Sequence, residues 1–140
     1  MESYDEDKIP EILKKAKTVA VVGLSDKPDR DSYRVARYLQ DAGYRIIPVN
    51  PALKEWDGKK SYGNLLSLPD NIKVEVVDIF RKPDAAIQVA EEAAKIRPYA
   101  VWFQEGVINH EAARIAKNSG SLVVMDRCMM KEHSRLFGKR

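Results

Sequence analysis

With 140 residues, 44% of them apolar and 32% charged, the chain has the size and composition of one soluble globular domain that buries roughly two-thirds of its unfolded surface; disorder and a hidden second domain are both excluded. Lys and Arg number 24 against 21 Asp and Glu, a surplus of +3 that is too small to demand nucleic acid or an anionic membrane as partner. A single cysteine, Cys128, excludes an internal disulfide framework, and with His110 and His133 as the only imidazoles there is no zinc ligand set.

These counts suit a reducing cytoplasm. The opening residues Met1 to Asp7 are acidic where a secretory signal would be basic, and no apolar run approaches membrane-spanning length. Four cations, Lys131, Arg135, Lys139 and Arg140, fall in the last stretch, which reads as a solvated basic tail from 128 to 140.

In chain order, Asp5, Glu6 and Asp7 precede Ile9, Pro10, Ile12 and Leu13, predicting a short opening helix over residues 1–17 with acids at its positive end, packed across the sheet as a lid. Thr18-Val19-Ala20-Val21-Val22-Gly23 is a continuous β-branched run, the pattern of a strand buried on both faces. After a polar loop, Val35, Ala36, Leu39 and Ala42 recur at helical spacing until Gly43 supplies a stop. Tyr44 to Pro51 forms the second strand and completes a βαβ unit.

Residues 52–62 are charged and read as a surface excursion, followed by a helical turn around Leu65, Leu66 and Leu68 that Pro69 ends. Val74 to Phe80 is the third strand, and Pro83 with Asp84 opens a helix carrying Ile87, Val89, Ala90, Ala93, Ala94 and Ile96. Tyr99 to Phe103 is the fourth strand, Asn109 caps a helix that Gly120 ends, and Leu122 to Met125 is the fifth. This alternation predicts an α/β fold, a Rossmann-like three-layer sandwich with a five-stranded, mainly parallel sheet and right-handed crossovers.

Ligands of such sheets bind beyond the carboxyl ends of the strands, where strand order reverses. Here that edge begins with Gly23-Leu24-Ser25-Asp26-Lys27-Pro28-Asp29-Arg30-Asp31-Ser32-Tyr33, a loop running into a helix N-terminus whose free N–H groups make an anion site. Gly23 admits close backbone approach, Ser25 and Ser32 offer hydroxyls, and Lys27 and Arg30 add cations suited to phosphate. A solvated turn with Ser32 as a simple cap is the competing reading for the same residues. The dinucleotide fingerprint needs three glycines in six residues and an acid after the second strand. Only Gly23 is present, and Asn50-Pro51 stands where the acid should be, which argues against NAD.

Val21-Val22-Gly23-Leu24-Ser25, Ser32-Tyr33-Arg34-Val35, Gly43-Tyr44 with Pro48-Val49-Asn50-Pro51, Asp78-Ile79-Phe80-Arg81, Gln104 to Asn109, and Val124 to Cys128 together resemble the small stand-alone CoA-binding proteins over nearly the whole chain. Those proteins are similar to the N-terminal domain of the succinyl-CoA synthetase α subunit. The resemblance implies coenzyme A or an acyl-CoA as the ligand. Gly23, Ser25, Arg30 and Ser32 would then hold the pyrophosphate, Asn50 and Pro51 would flank the adenosine, and Lys54 is a weaker candidate for the 3′-phosphate. Phe80 would offer a stacking face, or serve as core, and Arg81 a further phosphate partner. Gly106, in Gln104-Glu105-Gly106, would meet the pantetheine arm through backbone groups unless this is a plain connecting loop.

Trp102 reads as core, whereas Trp56, in the polar excursion, reads as a cover for adenine or a neighbouring subunit. Cys128 falls at the ligand edge, where a mixed disulfide with the CoA thiol competes with an inert thiol; His110 and His133 read as surface residues. The synthetases use a phosphorylated histidine in a further ligase domain, and no nucleophile setting, paired-carboxylate motif or Walker loop is visible here. The expectation is a binding protein without catalysis of its own, acting alone, as a homodimer or as a subunit for a separate ligase or acyltransferase. A small enzyme or an NAD(P)-binding regulatory domain are the rival classes.

Overall fold

The computed structural model describes residues 4–138. Five parallel strands form its sheet: β1 (Thr18–Val22), β2 (Arg45–Val49), β5 (Val76–Ile79), β6 (Ala100–Phe103) and β7 (Leu122–Met125), in the spatial order β2-β1-β5-β6-β7. A two-stranded antiparallel hairpin, β3 (Glu55–Trp56) and β4 (Lys59–Lys60), occupies the charged excursion. Five α-helices follow the chain: α1 (Ile9–Lys15), α2 (Asp31–Asp41), α3 (Ala86–Ile96), α4 (His110–Asn118) and α5 (Met129–Phe137). The expected α/β three-layer architecture is present, and its sheet is parallel throughout.

Side chains alternate across the pleat, and this divides the core in two. Val19, Val21, Ile46, Val76, Trp102 and Val124 face one side, where Ile12 and Leu13 of α1, Val35 and Leu39 of α2 and Met129 of α5 cover them. Ala20, Val22, Ile47, Val77, Ile79, Phe103 and Val123 face the other, under Val89, Ala90 and Ala93 of α3 and Ala112, Ala113 and Ala116 of α4. Alanines on α3 and α4 let those helices lie close together and close to the sheet. Trp102 is core, as expected, and its indole N–H donates to the carbonyl of Arg127 at 2.9 Å.

Both edges of the sheet are closed. Along β7, Asp5 donates its N–H to Val123 O at 2.8 Å, while its carboxylate accepts from Val123 N at 2.9 Å and that of Glu6 accepts from Met125 N at 3.3 Å. Acids ahead of α1 thus supply the acceptors that a further strand would bring. On the outer edge, β2 carries Pro48, tolerated because an edge strand can forgo one N–H; Tyr62 covers it, donating to Pro48 O at 3.0 Å and accepting from Asn50 N at 2.8 Å.

Four expectations change. The opening helix is shorter than residues 1–17: α1 spans Ile9–Lys15, lies on one face of the sheet beside α5 and buries Ile9, Ile12 and Leu13. Residues 129–137 are not a solvated tail but helix α5, with Met129 fully buried; Lys139 and Arg140 lie outside the described residues. Trp56 is no cover for a ligand, since it is 2% exposed and stands edge-on to Tyr33 with ring centroids 5.7 Å apart. His133 is half-buried between Tyr38, Tyr44 and Phe137, its Nδ1 2.9 Å from the Tyr38 hydroxyl, and burial lowers its pKa. Among the described residues no helix is long and apolar enough to cross a membrane.

Candidate functional site

Strand order reverses between β1 and β5: the chain leaves β1 for β2 on one side and returns to β5 on the other. At such a point the crossover helices diverge to opposite faces and leave a crevice beyond the strand ends. A cavity of about 680 Å³ occupies this position. Its walls come from four places: the loop after β1 with the start of α2, the loop after β5, the loop after β6, and the start of α5.

Gly23 forms the floor. Its φ is +90°, and a Cβ there would stand 2.0 Å from the carbonyl oxygen of Phe80, so no side chain fits between the two central strands. Gly23 N donates to Val49 O at 2.8 Å and Phe80 N to Val22 O at 2.8 Å, extending the sheet to the cleft. Phe80 takes both roles considered for it, packing on the core and lining the cleft.

Helix α2 enters the cleft with its N-terminus. The N-cap position is Arg30, not Ser32, and no side chain caps the helix. Ser32 is buried, and its Oγ accepts from Ser25 N at 2.9 Å, while Ser25 Oγ accepts from Lys27 N at 3.1 Å. Both hydroxyls therefore fold the loop back against the helix, and the first N–H groups of α2 remain for an anion.

Charge accumulates at the same place. Arg30, Arg34, Arg81, Lys82 and Lys131 line the cleft against only Asp31 and Glu105. Arg34 pairs with Asp31, and Lys131 with Glu105 at 3.1 Å. The hydrogen bond and charge of Glu105 raise the Lys131 pKa, with smaller contributions from Cys128 and Asp31. Arg30, Arg81 and Lys82 pair with no carboxylate among the described residues. Three free cations thus surround an uncapped helix N-terminus.

The far wall is built around Gln104, which is 4% exposed. Its Oε1 accepts from Met129 N at 3.0 Å, which ties the loop after β6 to the start of α5. Gly106, at φ +84°, donates its N–H to Asp126 Oδ1 at 2.8 Å. Cys128, at the N-cap position of α5, is 5% exposed and lines the cleft with Met130 and Lys131.

Of the residues singled out in the sequence, Gly23, Ser25, Arg30, Ser32, Phe80, Arg81 and Gly106 meet in this cleft. Lys27, Asn50 and Pro51 do not line it, and neither does Lys54. Asn50 is committed to the fold: its Nδ2 donates to Leu24 O at 2.9 Å and its Oδ1 accepts from Ala52 N at 2.9 Å, tying the end of β2 to the loop after β1. Lys82 and the α5 residues Met130 and Lys131 were missed. Lys82 stands next to Arg81, and Met129, Met130, His133, Leu136 and Phe137 follow a helical spacing that signals α5.

Residues 17–134 match the family model described as CoA binding domain. The chain belongs to that family. It is 40% identical over 134 residues to the uncharacterized protein YneT of Bacillus subtilis, covering 96% of this chain and 98% of that one. A hypothetical protein from Pyrococcus horikoshii OT3 has 44% sequence identity and superposes with a TM-score of 0.89 over 99% of this chain and all of that one, 100%. The acetate–CoA ligase (ADP-forming) I subunit alpha of Pyrococcus furiosus is 32% identical over 98 residues, 63% of this chain but 21% of that subunit. The kinship to small single-unit proteins and to a segment of CoA-ligase α subunits is thus present, with acetate–CoA ligases as the matching enzymes.

Proposed function

We propose that this protein binds coenzyme A or an acyl-CoA in the cleft between β1 and β5, without catalysing a reaction of its own. The observation that carries this reading is the uncapped N-terminus of α2 ringed by Arg30, Arg81 and Lys82, cations without carboxylate partners. A diphosphate accepts hydrogen bonds from the free N–H groups of the helix and balances the charge of the three side chains. Gly23 lets the Phe80 carbonyl close against the end of β1 and so keeps the floor of the cleft in place. The Nε2 group of Gln104 at the opposite wall, whose Oε1 is held by Met129 N, suits a carbonyl of the pantetheine arm. The family description and the likeness to acetate–CoA ligase subunits point to the same ligand.

Calorimetric titration with CoA, acetyl-CoA, dephospho-CoA, NAD and NADP tests the reading. Heat is expected with CoA and acetyl-CoA, with Arg81→Ala weakening CoA roughly tenfold through the loss of about 1.5 kcal/mol of charge-assisted hydrogen bonding. NAD binding without CoA heat would overturn it. Arg81 is exposed, so the substitution should leave the thermal midpoint unchanged.

A further inference from the structure

Cations gather at the amino ends of the strands, on the edge of the sheet opposite the cleft. Arg45 opens β2, Lys17 immediately precedes β1, Lys73 stands three residues before β5 and Arg97 three before β6, so four adjacent strands each bring one to this edge. Lys14 and Lys15 end α1, which leads into β1, and Lys95 lies in the last turn of α3, which leads towards β6. All seven side chains are exposed, and none pairs with a carboxylate among the described residues. They face Asp41 at the end of α2, Asp70 and Glu75. Glu75 is already engaged by the backbone, its Oε1 accepting from Lys17 N at 3.1 Å and from Thr18 N at 2.7 Å. The excess of cations at this one edge is larger than the +3 of the whole chain. Cations at helix C-termini complement the helix dipole, which accounts for Lys14, Lys15 and Lys95. Lys17, Arg45 and Lys73 lie outside helices, and Arg97 is held at φ +53°, which glycine adopts at lower cost.

Two cavities of about 300 and about 370 Å³ open on the same edge. Leu13, Tyr44 and Phe137 line the first together with Lys14 and Lys17. Leu68, Ile72 and Ile96 line the second together with Lys73, Lys95 and Arg97. Each sets apolar side chains against unpaired cations, and the Phe137 ring is 40% exposed. Lysines already cover the aromatic faces here: Lys15 Nζ lies 4.9 Å from the Tyr99 ring centroid and Lys14 Nζ 5.9 Å from that of Phe137. Neither ring is therefore open as a stacking platform for bases.

We propose that the amino edge of the sheet is a docking surface for an acidic polypeptide segment, its carboxylates meeting the cations and its apolar side chains seated in the two cavities. Charge complementarity sets the sign of the partner. The apolar walls select polypeptide over nucleic acid, whose phosphates would satisfy the cations and leave both cavities unfilled. A partner docked here leaves the cleft at the other edge open, and the inference does not depend on which ligand the cleft holds.

Fluorescence anisotropy of the full chain with a labelled peptide alternating glutamate with leucine and phenylalanine reads the docking. Polyglutamate of equal charge, duplex DNA and phosphatidylserine vesicles are the comparison ligands. The alternating peptide should bind more tightly than all three. Arg45→Glu/Lys73→Glu should weaken it at least roughly tenfold, and Lys73→Gln alone about threefold. Lys27→Glu/Lys54→Glu, an equal change of charge at the opposite edge, should leave it within about twofold. These positions are exposed and outside helices, so the variants should keep the thermal midpoint of the parent. Saturating CoA should not displace the peptide. Polyglutamate binding as tightly as the alternating peptide, tighter binding of DNA or vesicles, displacement by CoA, or a peptide affinity unchanged by Arg45→Glu/Lys73→Glu overturns the proposal, as does absence of binding at about 1 mM peptide.

Discussion

Asp78 is the residue whose chemistry most departs from its setting. It lies in β5 between Val21 and Trp102, is fully buried, and neither carboxyl oxygen has a hydrogen-bond partner among the described residues. Burial pushes its pKa well above the usual carboxylate range, so the folded protein keeps a proton that the unfolded chain releases above about pH 3.9. Folding then takes up a proton, and stability falls as pH rises above that value until the folded group itself ionises. Asp78→Asn removes this dependence while preserving shape. Urea midpoints of the variant and the parent should therefore diverge in favour of the variant between pH 5 and pH 8; a constant difference would show that Asp78 is ionised in the fold. Tyr44 shows the same physics in milder form: burial, with Tyr38 adding to it, raises its pKa to about 12, and its hydroxyl donates to Leu13 O at 2.6 Å.

Among the elements, helix termini do much of the positioning. Asn109 caps α4 by accepting from Ala112 N at 2.9 Å, and its Nδ2 donates to Pro83 O at 2.9 Å, joining α4 to the 3₁₀ turn Pro83–Ala85 before α3. Asn109→Ala should lower unfolding free energy by about 1–2 kcal/mol, whereas Asn109→Asp keeps the cap and forfeits the bond to Pro83, and should recover about half of that loss. Denaturant titration of the three proteins separates the two contributions. Helices α2 and α5 have no such caps, and both start at the cleft. Helices α1 and α3 also lack side-chain caps, so what distinguishes α2 and α5 is their place at the cleft, where free N–H groups suit an anion.

For the whole molecule, the cleft draws on segments from Gly23 to Lys131, so occupancy is linked to global folding. A ligand at a hundred times its Kd stabilises the native state by about 2.7 kcal/mol, which for a domain of this size raises the Tm by roughly 6–11 °C. CoA should produce such a shift in differential scanning calorimetry, and the shift should shrink between 50 and 500 mM NaCl because the free cations lie at the surface and are screened. An unchanged Tm at saturating CoA would show that the native protein does not bind it.

The sequence by itself determined the elements that local pattern specifies: the β-branched runs of β1 and β7, the Asn109 cap, the stop at Gly43, and the polar turn after β1 that suits phosphate. These are read from neighbours within a few residues, where period and propensity act. Tertiary structure decided what depends on distant partners. The charged surroundings of Trp56 conceal that it packs on Tyr33, the bond that makes Ser32 a loop tie and not a cap reaches back to Ser25 N, and the bond of Asn50 to Leu24 O crosses from β2 to the loop after β1. Helix α5 carried a legible spacing, but its closing cations masked it, and only packing against α1 and α2 brings Cys128 and Lys131 to the far wall. A cleft made by the ends of four chain segments is a property of their arrangement, and strand order, which no local pattern encodes, sets that arrangement.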